Sequence, residues 1–263
     1  MNNIELANKR TYITDNLSIF STNIWEYDIR QANINALLSM NRISVDEYNY
    51  LSKLPKQLRE IEIGNRIRED KSLQQDIYEA IDKAKLEFLS QNKIEPYNVV
   101  RIANDAIYCI APYPVAFTEF YIGNHLMSFV LKNHFTSFLK LCKLYLFFNN
   151  GEDGYNIDVK GISDSKLSMH SPILEFICDI INAKEKGAKD IAISKYISFY
   201  EKYINRQLPI EYYREFNGNS IYRIRSEYSD FAILGGENID INCIDISYNL
   251  NVLRQLYSYI LIN

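Results

Sequence analysis

Residues 98–111, NVVRIANDAIYCIA, consist of two β-rich runs that meet at Asn104-Asp105. Asn and Asp tolerate left-handed backbone and bond their own chain, so such a dipeptide between strand-like runs predicts a tight hairpin. Asp105 would then stand at its tip. Pro112 and Pro114 stop the second run, since proline cannot donate to a ladder. Upstream, residues 23–29, NIWEYDI, have the aromatic and β-branched content of a strand. In QANINALLSM after them, Ala32, Leu37 and Met40 are spaced for a short helix. Asp28 therefore falls at a strand end.

Helices separate these two acids. Ser44 and Glu47 form an S/T-x-x-E capping box, predicting a helix through Leu51, and Pro55 suits the first turn of the next. On that helix Leu58, Ile61 and Ile67 are expected to share one face, with Lys56, Arg59, Arg66 and Arg68 placing positive charge on its other sides. Leu73, Ile77, Ala80, Ile81, Ala84, Phe88 and Leu89 follow at 3.6-residue spacing and predict an amphipathic helix over residues 72–91.

Beyond the hairpin, residues 126–132 and 138–148 read as strands. Asn149-Asn150-Gly151 begins a turn before a further strand, YNIDVKGI. After Ile162 the pattern turns helical. One helix opens near Pro172 and runs to about Lys186, with Gly187 as its stop, and a second spans residues 190–205. Residues 220–225, 231–234 and 239–246 read as short strands, and 252–262 as a terminal helix. The predicted fold is α+β: an antiparallel sheet with packed helices over residues 1–165, carrying a helical insertion at 44–92, followed by a mostly helical region over 166–263.

With 47% apolar and 24% charged residues, the composition is that of an ordinary globular chain. The net charge of −4 argues against coating nucleic acid by bulk electrostatics, though a local basic groove fits within an acidic total. Cys109, Cys142, Cys178 and Cys243 lack zinc-site spacing and read as buried thiols of a reducing compartment. The apolar run 129–148 is broken by Lys132, Asn133, His134, Lys140 and Lys143, so no membrane span is expected, and residues 1–16 carry no apolar signal core. A cytosolic address follows as an expectation. His125, His134 and His170 lack ligand spacing and read as surface or half-buried rings. Gly235-Gly236 reads as a turn, and Tyr196, Tyr200 and Tyr203 follow one helical face suited to packing or to stacking on bases.

Two carboxylates on neighbouring strands could hold divalent metal a few ångström apart, the arrangement that two-metal phosphoryl transfer needs. The bland alternatives are a helix-capping role for Asp28 and a plain hairpin turn at Asn104-Asp105.

The segment Tyr27-Asp28-Ile29 with Ala32-Asn33 and Leu37 resembles motif A in the palm of family-B DNA polymerases, especially the protein-primed type. Residues 99–108 are similar to motif C of that family, in the right order. The resemblance covers about residues 20–165 and implies a palm-like nucleotidyltransferase, with Mg²⁺ held by Asp28 and Asp105 and with nucleotide and nucleic acid as partners. Asp158-Val159-Lys160-Gly161-Ile162 resembles the lysine strand after motif C, implying that Lys160 approaches the primer-template backbone. Lys56, Arg59 and Arg66 lie in the interval expected to meet triphosphate oxygens. The sequence also departs from the pattern: Ala103 and Asn104 stand where a second motif-C acid is usual, and the fingers motif has no clear counterpart. An alternative is therefore an inactive palm-like subunit that binds a protein partner in a viral replication or transcription complex. Either version places the protein in the cytoplasm, the host's if the source is a virus, with no membrane role.

Overall fold

The computed structural model describes residues 2–16, 18–19, 22–111, 114–151, 154–160, 162, 167–217, 221–225, 230–233 and 239–262. Gly161, Pro112 and Gly235-Gly236, singled out above, lie outside them. The chain forms two units: Met1–Asp15 with Thr22–Phe135, and Asn16–Ser21 with Thr136–Asn263. The architecture is α+β with antiparallel sheets.

The first unit is built on a six-stranded sheet in the order β1-β4-β5-β3-β7-β6. Its strands are β1 (Thr11–Ile13), β3 (Ile24–Ile29), β4 (Val99–Ala103), β5 (Ala106–Cys109), β6 (Glu119–Ile122) and β7 (His125–Phe135). Alternation along β3 decides its two faces. Tyr27 and Ile29 join the core with Phe88, Ile102, Ile107 and Phe129, and the Tyr27 ring lies 5.1 Å from that of Phe88. Glu26 and Asp28 take the other face. Glu26 is buried there, and its carboxylate accepts from the Tyr108 hydroxyl at 2.7 Å and the Asn133 amide at 2.6 Å, so no lone pair is stranded on that side.

The helices of this unit are α1 (Asn3–Ala7), α2 (Ala32–Ser39), α3 (Val45–Lys53), α4 (Lys56–Glu69) and α5 (Ser72–Gln91). α5 matches its predicted span, and its apolar stripe from Ile77 to Leu89 is buried in the core. The capping box of α3 forms: the Glu47 N–H donates to Ser44 Oγ at 3.2 Å, and the Ser44 N–H donates to the Glu47 carboxylate at 2.8 Å. On α4 the structure corrects the expected face. Leu58 and Ile61 are 54% and 60% exposed, while Ile63 is buried. The inward side of α4 is the one carrying Arg59 and Ile63, four residues apart, and both line the cleft described below.

The second unit holds a four-stranded antiparallel sheet, β10-β9-β8-β2, formed by β2 (Ser18–Ile19), β8 (Ser137–Leu141), β9 (Leu144–Gly151) and β10 (Gly154–Lys160). Residues 138–148 are thus a hairpin rather than one strand. Cys142, at φ 55°, makes the turn, a left-handed conformation that apolar alternation does not advertise. Asn149 to Gly151 continue β9 instead of starting the turn. Among the described residues that follow are the helices α6 (Ser171–Glu185), α7 (Lys189–Ile204) and α8 (Ser247–Leu261), together with the hairpin β11 (Tyr222–Arg225) and β12 (Asp230–Ile233). Gly187 ends the α6 segment at φ 80°. The expected strand over 239–246 is instead a single 3₁₀ turn, Ile241–Cys243, with one bridge from Ile244 to Ile224. The last helix begins five residues earlier than expected.

Tyr196 and Tyr203 are buried in the core of this unit, which assigns their helical spacing to packing. His170 is also buried, contrary to expectation, and burial pushes its ring down to about 4. All four cysteines are free thiols; Cys109 is buried, Cys142 and Cys178 are partly so, and Cys243 is exposed. No described helix is long and apolar enough to cross a membrane.

Candidate active site

Asp28 is the penultimate residue of β3 and Asp105 sits at the tip of the β4–β5 hairpin. In the β3–β5 ladder Asp28 is opposite Ala106, the residue after Asp105, so the register itself carries the two carboxyls to one place. The Ile29 N–H donates to the Asp105 carbonyl at 3.4 Å, and the Arg30 N–H donates to the Ser128 carbonyl at 2.9 Å. The strand-to-helix corner is therefore pinned to both neighbouring strands. Asn35, buried on α2, closes it by donating from Nδ2 to the Arg30 carbonyl at 2.5 Å. Gln31, not Asp28, is the N-cap residue of α2, at φ 47° and with no side-chain cap. The capping explanation for Asp28 is thereby removed.

Asn104 adopts φ 54°, a left-handed conformation that Asn accepts more readily than most residues. Its N–H donates to the Arg10 carbonyl at 2.7 Å. The preceding carbonyl, Lys9, accepts from Lys85 Nζ at 2.8 Å. Lys85 has no exposed side-chain surface and pairs with Asp82 at 3.1 Å, while Asp82 also pairs with Arg10. Burial pushes the Lys85 ammonium down, and the charges of Asp82 and Asp105 oppose that shift. The Arg10 guanidinium lies 4.4 Å over the Tyr78 ring. Two consecutive carbonyls thus tie the hairpin tip to α5 through one buried cation.

The carboxyls of Asp28 and Asp105 are within hydrogen-bonding reach of each other. Burial first, and then the Asp28 charge, push Asp105 up to about 6, while Lys56 pulls in the opposite direction. Two like charges this close make ionising both costly, so the site favours a cation beside them. Lys132, on β7, reaches Asp28 Oδ2 at 3.3 Å.

These groups border a cleft of about 730 Å³ within the first unit, a size suited to a nucleotide-sized ligand. Five basic side chains line it, Arg10, Arg30, Lys56, Arg59 and Lys132, against the acids Asp28, Glu60 and Asp105. The cleft is thus locally basic in a chain of net charge −4. The first residues of α2, Ala32 to Ile34, also line it, where the unbonded N–H groups of a helix start favour an anion.

Of the residues singled out by sequence, the structure gathers Asp28, Asp105, Lys56 and Arg59 at this cleft. Arg66 points elsewhere and pairs with Glu47 at 3.2 Å and Glu62 at 3.3 Å. Lys160 belongs to the second unit and pairs with Asp158 at 2.7 Å. Arg10, Arg30, Lys85 and Lys132 escaped the sequence reading. Arg30, two residues after Asp28, had a signal in that spacing, whereas Lys132 became visible only through the pairing of β7 with β3.

Among the described residues, no group of three or more His, Cys, Asp or Glu side chains is placed to hold a metal ion. No curated protein matches the chain. Residues 1–262 match the family model described as Bacteriophage PBS1 gene 130 protein. The chain belongs to this bacteriophage family.

Proposed function

We propose that the first unit is a reduced polymerase-palm-like nucleotidyltransferase that acts in phage nucleic-acid synthesis in the host cytoplasm. One observation carries this reading: two carboxyls from separate strands meet at the rim of a nucleotide-sized cleft lined by basic side chains. The motif order and the helices inserted between the two acidic strands agree with it.

The donors suit Mg²⁺. Two carboxyls brought together beside a cleft leave like charge to be neutralised, and Mg²⁺ is commonly bound by one or two carboxylates together with substrate phosphate oxygens. Asp28 and Asp105 would hold it, and the ion would supply charge neutralisation at the phosphoryl oxygens and acidify an attacking hydroxyl. The protein's own part is positioning. Lys56, Arg59 and Arg30 bind the polyphosphate with charge-assisted hydrogen bonds, and the start of α2 adds backbone donors. The Lys85 tether holds the hairpin tip at fixed distance from β3, as a reaction sensitive to small displacements requires. Lys160, in the second unit, is assigned a primer-template backbone contact, for which its pair with Asp158 must open.

A second reading, an inactive subunit that binds a replication or transcription partner, is favoured by Ala103 and Asn104, which leave the hairpin with a single acid. Extension of a primed template by the purified chain, with and without Mg²⁺, separates the two. Metal-dependent incorporation that disappears in Asp28→Ala and Asp105→Ala supports the enzyme. Incorporation surviving both substitutions rejects these residues as its ligands, and none by the wild type favours the subunit.

A further inference from the structure

We propose that Lys132 is a resident counter-ion of the carboxyl pair, so that a bare divalent cation must displace an ammonium group already in place. The inference rests on Asp28 and Asp105 forming a metal site. Lys132 Nζ is 3.3 Å from Asp28 Oδ2, the atom region a cation would need. The ammonium is a single charge on a flexible stem, and half of its side chain is exposed, so it can swing into solvent at small cost.

Three of the other four cations lining the cleft are less suited to the role. Arg10 is engaged with Asp82 and Tyr78. Arg59 reaches the Leu54 carbonyl at 3.5 Å. Lys56, 78% exposed, lies 3.8 Å from Glu60 and acts on Asp105 only at a distance.

The consequence is selectivity between a bare ion and an ion carried by polyphosphate. A bare cation finds Asp28 already occupied by Lys132. A metal–polyphosphate complex brings anionic oxygens that give Lys132 a new partner, so displacement costs less. Lys132 would thereby suppress idle metal binding and couple metal entry to ligand entry.

The test is a Mg²⁺ titration of the thermal midpoint of the full chain, repeated for Lys132→Met, Lys132→Gln, Lys132→Arg and Asp28→Asn. Loss of one partly exposed ion pair should lower the half-saturating Mg²⁺ concentration roughly two- to fivefold in Lys132→Met and Lys132→Gln. Lys132→Arg should stay near wild type, and Mg²⁺ with inorganic triphosphate should act on wild type at lower concentration than Mg²⁺ alone. An unchanged or raised half-saturating concentration in Lys132→Met, or Lys132→Arg behaving like it, overturns the counter-ion role while a wild-type response lost in Asp28→Asn still upholds the metal site. A response absent from wild type but present in Lys132→Met supports the role in its strongest form. No response in any of these proteins removes the metal site and the inference together.

Discussion

Asp28 and Asp105 share a hydrogen-bonding distance because Asp28 faces Ala106 across the β3–β5 ladder. Backbone register brings the two residues together, and their short side chains span what is left. Like charges enforced in this way destabilise the fold and are retained where a ligand resolves them.

Asp105 is pushed up to about 6 from an ordinary 3.8, so the folded state binds its proton more tightly than the unfolded chain. Its contribution is therefore least unfavourable below about pH 4 and grows worse as pH rises through 6. In metal-free buffer, Asp105→Asn should stabilise the protein by about 2 kcal/mol at pH 8, with the gain shrinking to near zero by pH 4. Urea denaturation at the two pH values measures it, and a loss of stability at pH 8 would contradict the strained pair.

Lys85 gives the opposite sign. Lys85→Met keeps volume and apolar stem but removes the ion pair to Asp82 and the donor to the Lys9 carbonyl. Breaking a buried pair from one side typically costs about 3 to 5 kcal/mol. Asp82 keeps Arg10, which argues for the lower end, about 3 kcal/mol. Chemical denaturation reads the loss, and a neutral result would mean that the tether carries no strain-bearing role.

Much of this was legible in advance because local signals agreed. Residues 98–111 announced their hairpin through turn chemistry, Ser44 and Glu47 announced a helix start, and the apolar stripe of α5 fixed its span. The acid pair followed from strand ends. What stayed hidden depends on pairing between distant segments. Lys132 looked like a charge that merely interrupted an apolar run, and Lys85, which lies off the apolar pattern of α5, is nonetheless fully buried. On α4 the apolar count favoured Leu58 and Ile61, while packing buried Ile63 beside Arg59, because a basic cleft can claim a helix face as well as a core can.

The corner between β6 and β7 offers a test of the scaffold alone. Gly123 has φ 59°, and a Cβ there would stand 2.3 Å from the Ser39 carbonyl oxygen at the end of α2. Gly123→Ala therefore meets both a left-handed backbone and a backbone atom that cannot rotate away. It should cost at least about 2 kcal/mol without altering the acid pair. Thermal unfolding checks the cost; a variant as stable as wild type would mean that α2 and the sheet edge are not packed as described.

A cleft that binds phosphate differs from a merely basic surface in which cations matter. Arg30 and Lys56 line the cleft, whereas Arg66, of equal charge and on the same helix as Lys56, is committed to Glu47 and Glu62. Bulk electrostatics would weaken anion binding similarly for all three substitutions, since each removes one positive charge from the same unit. Site-specific hydrogen bonds to phosphate would not. Calorimetric titration with a non-hydrolysable nucleoside triphosphate and Mg²⁺ should show binding weakened about tenfold in Arg30→Ala and Lys56→Ala, the loss of one charge-assisted contact, and by less than twofold in Arg66→Ala. Equal losses at all three positions would reduce the cleft to a diffuse positive field, and the nucleotide reading would lose its geometric support.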